Sequence, residues 1–429
     1  MIRILKTNSN FEREPLISPF GFKGGYLTEL WQTVALVEGF SGKRGLGLGT
    51  QSVLWSDAGV FTENSESAGN ALMFAMTAFA LKHTGDRCFD DPLQLLDALL
   101  EPTLDYGRTV TSRPDLRLTF ALNSLVAVDN AAWQLYCAER RIAGFDQMVP
   151  EALRPALSHR HRELGVIPLM TYGVPLDAIV QAARDGCFLL KIKIGSDPDK
   201  DGDPEKMLAW DIERLASIHS AVKCFETPYT DSGCVLYYLD ANGRYDSKER
   251  LLRFIEAAER IGALDRIVLL EEPFPEEAEI DVRDIPVRLA ADESAHSDTD
   301  AARRIELGYG AIALKPIAKT MSMSLRIAAL AHKKGVPCFC ADLTVNPILV
   351  DWNKNVAARL APLPGVKIGV VETNGHQNYR NWERMKSYHP RAGAPWTEMT
   401  RGLFHLDDDF YASGGGILEQ SEHYLGLVS

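Results

Sequence analysis

The chain lacks the features that would indicate a membrane protein, a secreted protein or a nucleic-acid-binding protein. No apolar stretch approaches the roughly 20 residues that a bilayer-spanning helix needs. The N-terminus, MIRILKTNSNFERE, has no apolar core of a signal peptide. No basic run occurs, and the net charge of −12 has the opposite sign to the surface that nucleic acid attracts. We therefore expect neither a nucleic-acid partner nor a membrane partner.

Cysteine is also scarce, and its spacing indicates no metal or redox motif. The seven cysteines are scattered and form no CxxC pair. A reduced, cytoplasmic protein is the interpretation that this pattern favours. Low-complexity segments and tandem repeats are missing as well. The 429 residues are enough for one large domain with an appendage or for two or three domains.

A change of pattern near residue 160 divides the chain. Before it, YLTELWQTVALVEGF (26–40) and QSVLW (51–55) predict strands of an antiparallel sheet, and three long stretches with helical spacing follow. Strands first and helices afterwards indicate an α+β domain. We predict that this domain covers residues 1–160 and that the aromatic, loop-like tail, about 385–429, packs back on it and completes it.

Between residues 161 and 384 the order of elements alternates. Eight short apolar strand candidates occur there, and helical stretches separate most of them. Alternation of this kind predicts parallel βαβ units, and eight strands favour a closed barrel over an open sheet. The predicted fold class is therefore α/β, with the barrel domain in 161–384.

The strand LLKIKIGSD (189–197) carries two lysines on one side, Lys191 and Lys193. Taken alone, they fit a surface strand as well as a site inside the protein. The carboxyl ends of the other predicted strands, where barrel enzymes keep their chemistry, favour the site. These ends carry Asp240 and Asn242, Glu271 and Glu272, Asp292 and Glu293, Lys315, Asp342, and Glu372.

Three of these acids predict a metal site. Asp240, Glu271 and Asp292 follow consecutive strands, so their carboxylates should converge and repel one another unless a cation lies between them. Oxygen ligands without histidine or cysteine favour Mg²⁺, with Mn²⁺ or Ca²⁺ as alternatives. Lys193 and Lys315 would stand on opposite sides of the ion. This arrangement suits removal of a proton next to a carboxylate.

Five motifs in this region resemble those of the enolase superfamily, and they occur in the family's order. They are KIK (191–193), LDANG (239–243), LEEPFPEE (270–277), ADES (291–294) and ALKPIAK (313–319). The resemblance implies a (β/α)₇β barrel with an α+β capping domain. It also implies a Mg²⁺-dependent enzyme that abstracts the α-proton of a small carboxylate substrate through an enediolate, a mechanism in which lysine bases are known.

The resemblance also assigns roles to individual residues. It gives Asp240, Glu271 and Asp292 as the metal ligands, and within ADES it selects Asp292 over Glu293. Lys193 would be the base on one face of the substrate, and Lys315 the acid or base on the other. The remaining lysine, Lys191, would help to bind the substrate carboxylate and make Lys193 a better base.

The lysine on the sixth strand favours one branch of the family. The mandelate-racemase branch has an Asp on strand six and a His on strand seven, whereas this chain has Lys315 and Asp342. Strand six is closer to the muconate-lactonizing branch. We expect a racemase, an epimerase or a cycloisomerase. An acid-sugar dehydratase, which is a lyase, is the alternative, and a non-catalytic relative is a weaker one.

Substrate contacts and assembly are harder to predict. The Gly-rich, aromatic segment 19–32 is typical of a lid, and its Lys23 is a candidate for contacting the substrate. An apparent insertion, CFETPYTDSG (224–233), predicts a surface hairpin or an oligomer contact on the face opposite the chemistry, and we expect a homo-oligomer. The remaining candidate substrate contacts are Tyr172, Asn242, Asn346, Glu372 and His376.

Overall fold

An antiparallel sheet opens the chain. The computed structural model describes residues 1–22, 25–85 and 87–429. Four strands form the first sheet in the order β3-β2-β1-β4, and every pairing is antiparallel. They are β1 Ile2–Phe22, β2 Gly25–Gly39, β3 Arg44–Gln51 and β4 Cys88–Phe89.

Helix α5 packs directly against β3 of this sheet. The helices of this region are α1 Val53–Ser56, α2 Ala58–Glu63, α3 Glu66–Thr84, α4 Pro92–Val110, α5 Leu118–Arg140 and α6 Phe145–Met148, with a 3₁₀ helix at Glu151–Leu157. Glycine permits the close approach, because a Cβ at Gly47 would lie 1.9 Å from the carbonyl oxygen of Ala127. Most side chains of α5 are buried as a result.

A closed barrel of parallel strands forms the second part. Its strands are β5 Glu163–Ile167, β6 Leu169–Met170, β7 Leu189–Lys193, β8 Leu236–Asp240, β9 Ile267–Glu271, β10 Leu289–Ala291, β11 Ala311–Leu314, β12 Cys338–Cys340 and β13 Gly369–Glu372. Strands β5 and β6 are two halves of one barrel strand, interrupted at Pro168. The first half pairs with β13 and the second with β7, which closes the ring.

Helices connect most of the barrel strands. They are α7 Leu176–Arg184, α8 Pro204–Val222, α9 Lys248–Arg260, α10 Asp298–Glu306, α11 Met321–Lys333 and α12 Pro347–Ala357, with a 3₁₀ helix at Leu264–Arg266. The 224–233 segment lies before β8, at the amino-terminal mouth of the barrel. There Thr230 forms a β-bridge to Val366, and the Tyr229 ring lies 5.3 Å from that of Phe188.

The tail contacts both parts of the molecule. Its elements are α13 Gly375–Asn378, α14 Trp382–Lys386, β14 Met399–Thr400, β15 Leu403–His405, α15 Asp408–Ser413 and α16 Glu422–Val428, with 3₁₀ helices at Pro395–Thr397 and Gly414–Gly416. Strand β15 pairs with β5 of the barrel. The amide of Asn8 in β1 donates to the carbonyl oxygen of Val428 at 2.8 Å.

These elements confirm the predicted fold, a (β/α)₇β barrel with an α+β capping domain. The exact boundaries at residues 160 and 384 stay a prediction. Among the described residues, no helix is both long enough and apolar enough to cross a membrane. One local prediction needs correction, because residues 53–55 of QSVLW belong to helix α1 rather than to a strand. The 19–32 segment lies largely in a paired β-hairpin, in which Phe20 pairs with Leu27, and its role as a lid stays a prediction.

Candidate active site

Two adjoining cavities lie where the capping domain meets the carboxyl ends of the barrel strands. The inner cavity, about 50 Å³, is lined by Phe20, Leu27, Leu30, Ser52, Trp55, Leu169, Lys191, Lys193, Asp240, Asn242, Asp292, Glu293, Lys315, Asp342, Leu343, Thr344, Glu372 and Asn374. The outer cavity, about 590 Å³, is lined by Pro19, Phe20, Gly21, Gly25, Tyr26, Thr171, Tyr172, Gly173, Lys193, Gly195, Ser196, Asp197, Lys200, Asn242 and Arg244. Because Phe20, Lys193 and Asn242 line both, the two cavities adjoin at these residues.

The two lysines of β7 both point into the barrel rather than to the surface. Lys191 Nζ lies 3.1 Å from Asp240 Oδ2, 3.3 Å from Glu271 Oε2 and 3.0 Å from Glu372 Oε2. Lys193 Nζ lies 2.5 Å from Asp240 Oδ2 and also donates to the side-chain oxygen of Asn242. This answers the question that the sequence left open, because a surface strand would not bury both ammonium groups.

Two further lysines hold the acid that follows β10. Lys315 forms an ion pair with Asp292. Lys319 Nζ lies 3.1 Å from Asp292 Oδ1 and donates to the main-chain carbonyl oxygens of Asp292 and Ala295 at 2.6 and 3.1 Å. Lys193 and Lys315 therefore reach the inner cavity from different strands, and each is paired with a different acid.

Three carboxylates form a compact group between these lysines. Glu271, Asp292 and Glu293 each offer an oxygen, and these oxygens lie within 4.8 Å of one another. No hydrogen bond reaches either oxygen of Glu271 from the described residues, although the side chain is fully buried. A buried carboxylate without hydrogen bonds fits a hard cation, because it has unused lone pairs and close acidic neighbours.

The balance of charge shifts the pKa values of this region. Burial raises the pKa of Glu271 to about 8, and Lys191 offsets only part of that effect. Burial also raises the pKa of Asp240, but Lys191 and Lys193 outweigh it and hold that pKa at about 2. Burial lowers the pKa of Lys315, but Asp292 outweighs it, so the pKa of this lysine lies above its ordinary value.

Acidic side chains outnumber lysines here. The described strand ends carry seven buried acids, Asp240, Glu271, Glu272, Asp292, Glu293, Asp342 and Glu372, and four buried lysines, Lys191, Lys193, Lys315 and Lys319. Since an uncompensated buried charge is costly, this excess of negative charge favours a bound cation.

The backbone is strained at two of the strand ends. Asn242 and Glu272 have φ angles of 43° and 41°, which non-glycine residues seldom adopt. Such strain concentrates at functional sites. At Glu272 it accompanies a positioning contact, because the Glu272 carboxylate accepts hydrogen bonds from the backbone N–H groups of Asp292 and Ser294 at 2.7 and 3.2 Å.

The capping domain supplies the apolar wall of the inner cavity. Lys315 Nζ lies 4.6 Å above the ring of Trp55, which is a cation–π contact between the two domains. Phe20, Leu27 and Leu30 of the β1–β2 hairpin line the same cavity. The chemistry-bearing groups come from the barrel, whereas the cap shapes the space in front of them.

The predicted substrate contacts have different outcomes. Glu372 lines the inner cavity and Asn242 lines both cavities. Tyr172 lines the outer cavity, but its hydroxyl donates to the carbonyl oxygen of Ile194 at 3.0 Å. Asn346 lines neither cavity, because it caps α12 by accepting from the backbone N–H of Leu349 at 3.0 Å.

One other candidate lines neither of these cavities. His376 lines a separate cavity of about 320 Å³ between α12, α14 and the tail. Lys23 lies outside the described residues.

Sequence reasoning missed two contributors and ranked a third, Glu293, below Asp292. Trp55 reaches Lys315 from the other domain, and no local pattern signals that contact. Lys319 stands in the quoted ALKPIAK motif, but its role with Asp292 depends on the fold. The sequence named Glu293 as a strand-end acid but chose Asp292 as the ligand, whereas the structure groups both acids with Glu271.

The fold and the site together define a class: a barrel protein whose strand ends carry acids and lysines beneath a separate cap. Residues 176–381 match the family model described as enolase C-terminal domain-like. This match spans a little under half of the chain and confirms the resemblance to the enolase superfamily that the sequence motifs indicated. The assignment to the muconate-lactonizing branch stays a prediction. No curated protein matches the chain in sequence.

Solved structures show the same fold at low sequence identity. A mandelate racemase/muconate lactonizing protein from Herpetosiphon aurantiacus has a TM-score of 0.65 and 18% identity, covering 96% of this chain and 98% of its own. A dipeptide epimerase from Enterococcus faecalis, complexed with Mg and a dipeptide, has a TM-score of 0.65 and 17% identity over 96% and 99%. An N-succinyl Arg/Lys racemase from Bacillus cereus has a TM-score of 0.60 and 16% identity over 88% of each chain.

Proposed function

We propose that the protein is a Mg²⁺-dependent isomerase that moves the α-proton of a small carboxylate substrate, as a racemase, an epimerase or a cycloisomerase does. The observation that carries the proposal is the pair Lys193 and Lys315. Both line the inner cavity, each beside a different carboxylate, with the acids of β9 and β10 between them. Two such groups suit removal of a proton on one face of a carbon and its return on the other.

The metal would be held at the acidic group of Glu271, Asp292 and Glu293, to which Asp240 does not itself belong. We propose Asp240, Glu271 and Asp292 as its ligands, with Glu293 close enough to contribute. Asp240 is shared with Lys191 and Lys193, so these lysines would have to give up part of their contact with it. A bound Mg²⁺ would supply positive charge that stabilises the substrate carboxylate as the proton leaves.

The remaining roles belong to the side chains of this chain. Lys191 would help to hold the substrate carboxylate, and Trp55 would keep the Lys315 ammonium in place through the cation–π contact. Phe20, Leu27 and Leu30 would exclude water from the α-carbon.

The named activities of two structural relatives support this choice. One is a dipeptide epimerase and another is an N-succinyl amino-acid racemase. Both names describe inversion at a carbon, whereas none of these names describes the dehydration that the sequence left as an alternative. The homo-oligomer expected from the sequence stays a prediction.

Exchange of the α-proton in D₂O tests the proposal. Carboxylates should be screened with Mg²⁺ by mass spectrometry or NMR, first with the unmodified protein. Lys193→Met should then abolish exchange from one configuration of an active substrate, and Lys315→Met should abolish exchange from the other. Each loss should be on the order of 10²-fold or more, because general acid–base groups contribute about 10²–10⁴.

Lys333→Met is the matched control, since Lys333 is exposed at the end of α11, remote from the cavities. It should exchange at the unmodified rate. Full activity of Lys315→Met on every active substrate would overturn the two-base assignment. Retained activity in both cavity variants would overturn the site altogether.

A further inference from the structure

The outer cavity has an excess of positive charge. Its charged lining groups are Lys193, Lys200, Arg244 and the single carboxylate of Asp197. Lys193 is already paired with Asp240. Neither the Lys200 ammonium nor the Arg244 guanidinium takes part in an ion pair or hydrogen bond with any residue that the structure describes.

The acids nearby are already engaged. The Asp197 carboxylate accepts the backbone N–H groups of Asp201 and Gly202 at 3.2 and 3.1 Å, so it builds the turn that carries Lys200. Asp211, beneath the same wall, accepts the N–H of Gly195 and the hydroxyl of Tyr245. The Asp197 carboxylate thus serves the backbone, and Asp211, although its charge attracts Arg244, forms no ion pair with that guanidinium.

A glycine allows the stem of Arg244 to lie close to the candidate active site. Gly195 has a φ of +82°, and a Cβ there would lie 2.5 Å from the Cβ of Arg244. Glycine at this position therefore lets the Arg244 stem lie on the chain just after β7, two residues beyond Lys193. Arg244 also follows Asn242, which accepts a hydrogen bond from Lys193, by two residues.

We propose that the substrate carries a second carboxylate, distal to the one at the reacting carbon, and that Arg244 binds it with help from Lys200. This inference rests on the proposed function, which places the first carboxylate in the inner cavity. The inner cavity has room for little beyond the reacting carboxylate, so the rest of the substrate extends past Phe20 and Asn242 into the outer cavity. There the planar guanidinium can bind a carboxylate with two parallel hydrogen bonds.

Binding measurements test this directly. Calorimetry with Mg²⁺ present should compare α,ω-dicarboxylates from glutarate to sebacate with monocarboxylates of the same chain length. At least one dicarboxylate should bind about tenfold or more tightly than its partner, because a charge-assisted hydrogen bond contributes that much. Arg244→Gln should remove this advantage and leave monocarboxylate binding unchanged. Arg244→Lys should restore part of it.

Arg260→Gln is the matched control, because Arg260 is exposed at the end of α9 and lines neither cavity. It should keep the full preference for dicarboxylates. Equal binding of both ligand series, no detectable binding of any dicarboxylate, or an unchanged preference in Arg244→Gln would overturn the inference.

Proton exchange separates this inference from the proposed function. If monocarboxylates exchange their α-proton as fast as matched dicarboxylates, and Arg244→Gln has no effect, the second-anion site is wrong and the isomerase stands. If dicarboxylates bind through Arg244 but neither they nor N-succinyl amino acids exchange in D₂O, the anion site stands and the proposed chemistry is wrong.

Discussion

Replacing Glu271 by glutamine should stabilise the metal-free protein and abolish its response to Mg²⁺. The unmodified site holds a fully buried carboxylate that accepts no hydrogen bond within the described residues, with oxygens of Asp292 and Glu293 within 4.8 Å. The neutral amide removes that repulsion and the cost of a buried charge at nearly constant volume. These outweigh the attraction of Lys191, 3.3 Å away, because the pKa of Glu271 is raised in spite of it. We expect a gain of about 1 kcal/mol or more in the free energy of unfolding without metal.

The response of the unmodified protein to Mg²⁺ sets the scale. A ligand at 100 times its dissociation constant stabilises the native state by about 2.7 kcal/mol. An unfolding entropy of about 2.1 cal/mol/K per residue gives about 0.9 kcal/mol/K for 429 residues, so Mg²⁺ should raise Tm by about 3 °C. Glu271→Gln should shift by much less, because one proposed ligand is lost.

Differential scanning calorimetry with EDTA and with saturating Mg²⁺ measures both effects. Glu259→Gln is the control, since Glu259 is exposed on α9. It should behave as the unmodified protein in both conditions. A full Mg²⁺ shift in Glu271→Gln would refute the ligand assignment. A metal-free variant clearly less stable than the unmodified protein would refute the argument from repulsion.

Two further predictions concern stability outside the inner cavity. Asp351→Asn should cost about 3–5 kcal/mol in urea unfolding, because buried Lys354 and His389, 2.7 and 2.9 Å from Asp351, would lose their carboxylate partner. Adding Lys354→Met should recover part of that, and no recovery would contradict this account. Burial raises the pKa of Asp211 from 3.8 to about 7. Because the folded protein binds this proton more tightly than the unfolded chain does, the free energy of unfolding should fall as the pH rises from 3.8 to about 7. Asp211→Asn should lack that slope, which pH-dependent unfolding would reveal.

Local sequence patterns predicted the barrel because each βα unit carries its own signal. The rim residues followed from the strands, since parallel strands end at one edge of a sheet. Lys191, Asp240 and Glu372 therefore meet, as the predicted strand ends required. What could not be predicted is a contact between distant segments, such as Trp55 with Lys315, because nothing local encodes how the cap docks.

Other differences had local causes that the patterns concealed. Strand β1 runs from Ile2 to Phe22 and includes the polar stretch KTNSNFERE. This stretch is mostly exposed and lacks the apolar alternation that predicts a strand. Asn346 was expected in the pocket, but the sequence Asn346-Pro347 is a helix-start signal, and the side chain serves as the cap of α12. A residue at a predicted helix start is therefore a poor candidate for a substrate contact.

The division of labour between cap and barrel has a consequence for how such a protein can acquire a new substrate. The proposed proton-transfer groups and metal ligands all lie on barrel strand ends, whereas Phe20, Leu27 and Leu30 come from one hairpin. Exchanging this hairpin between relatives should alter selectivity while keeping reactivity. Exchange of the whole cap has one further requirement. Because the Trp55 ring contacts Lys315, a cap taken from a relative must keep an aromatic residue at this position.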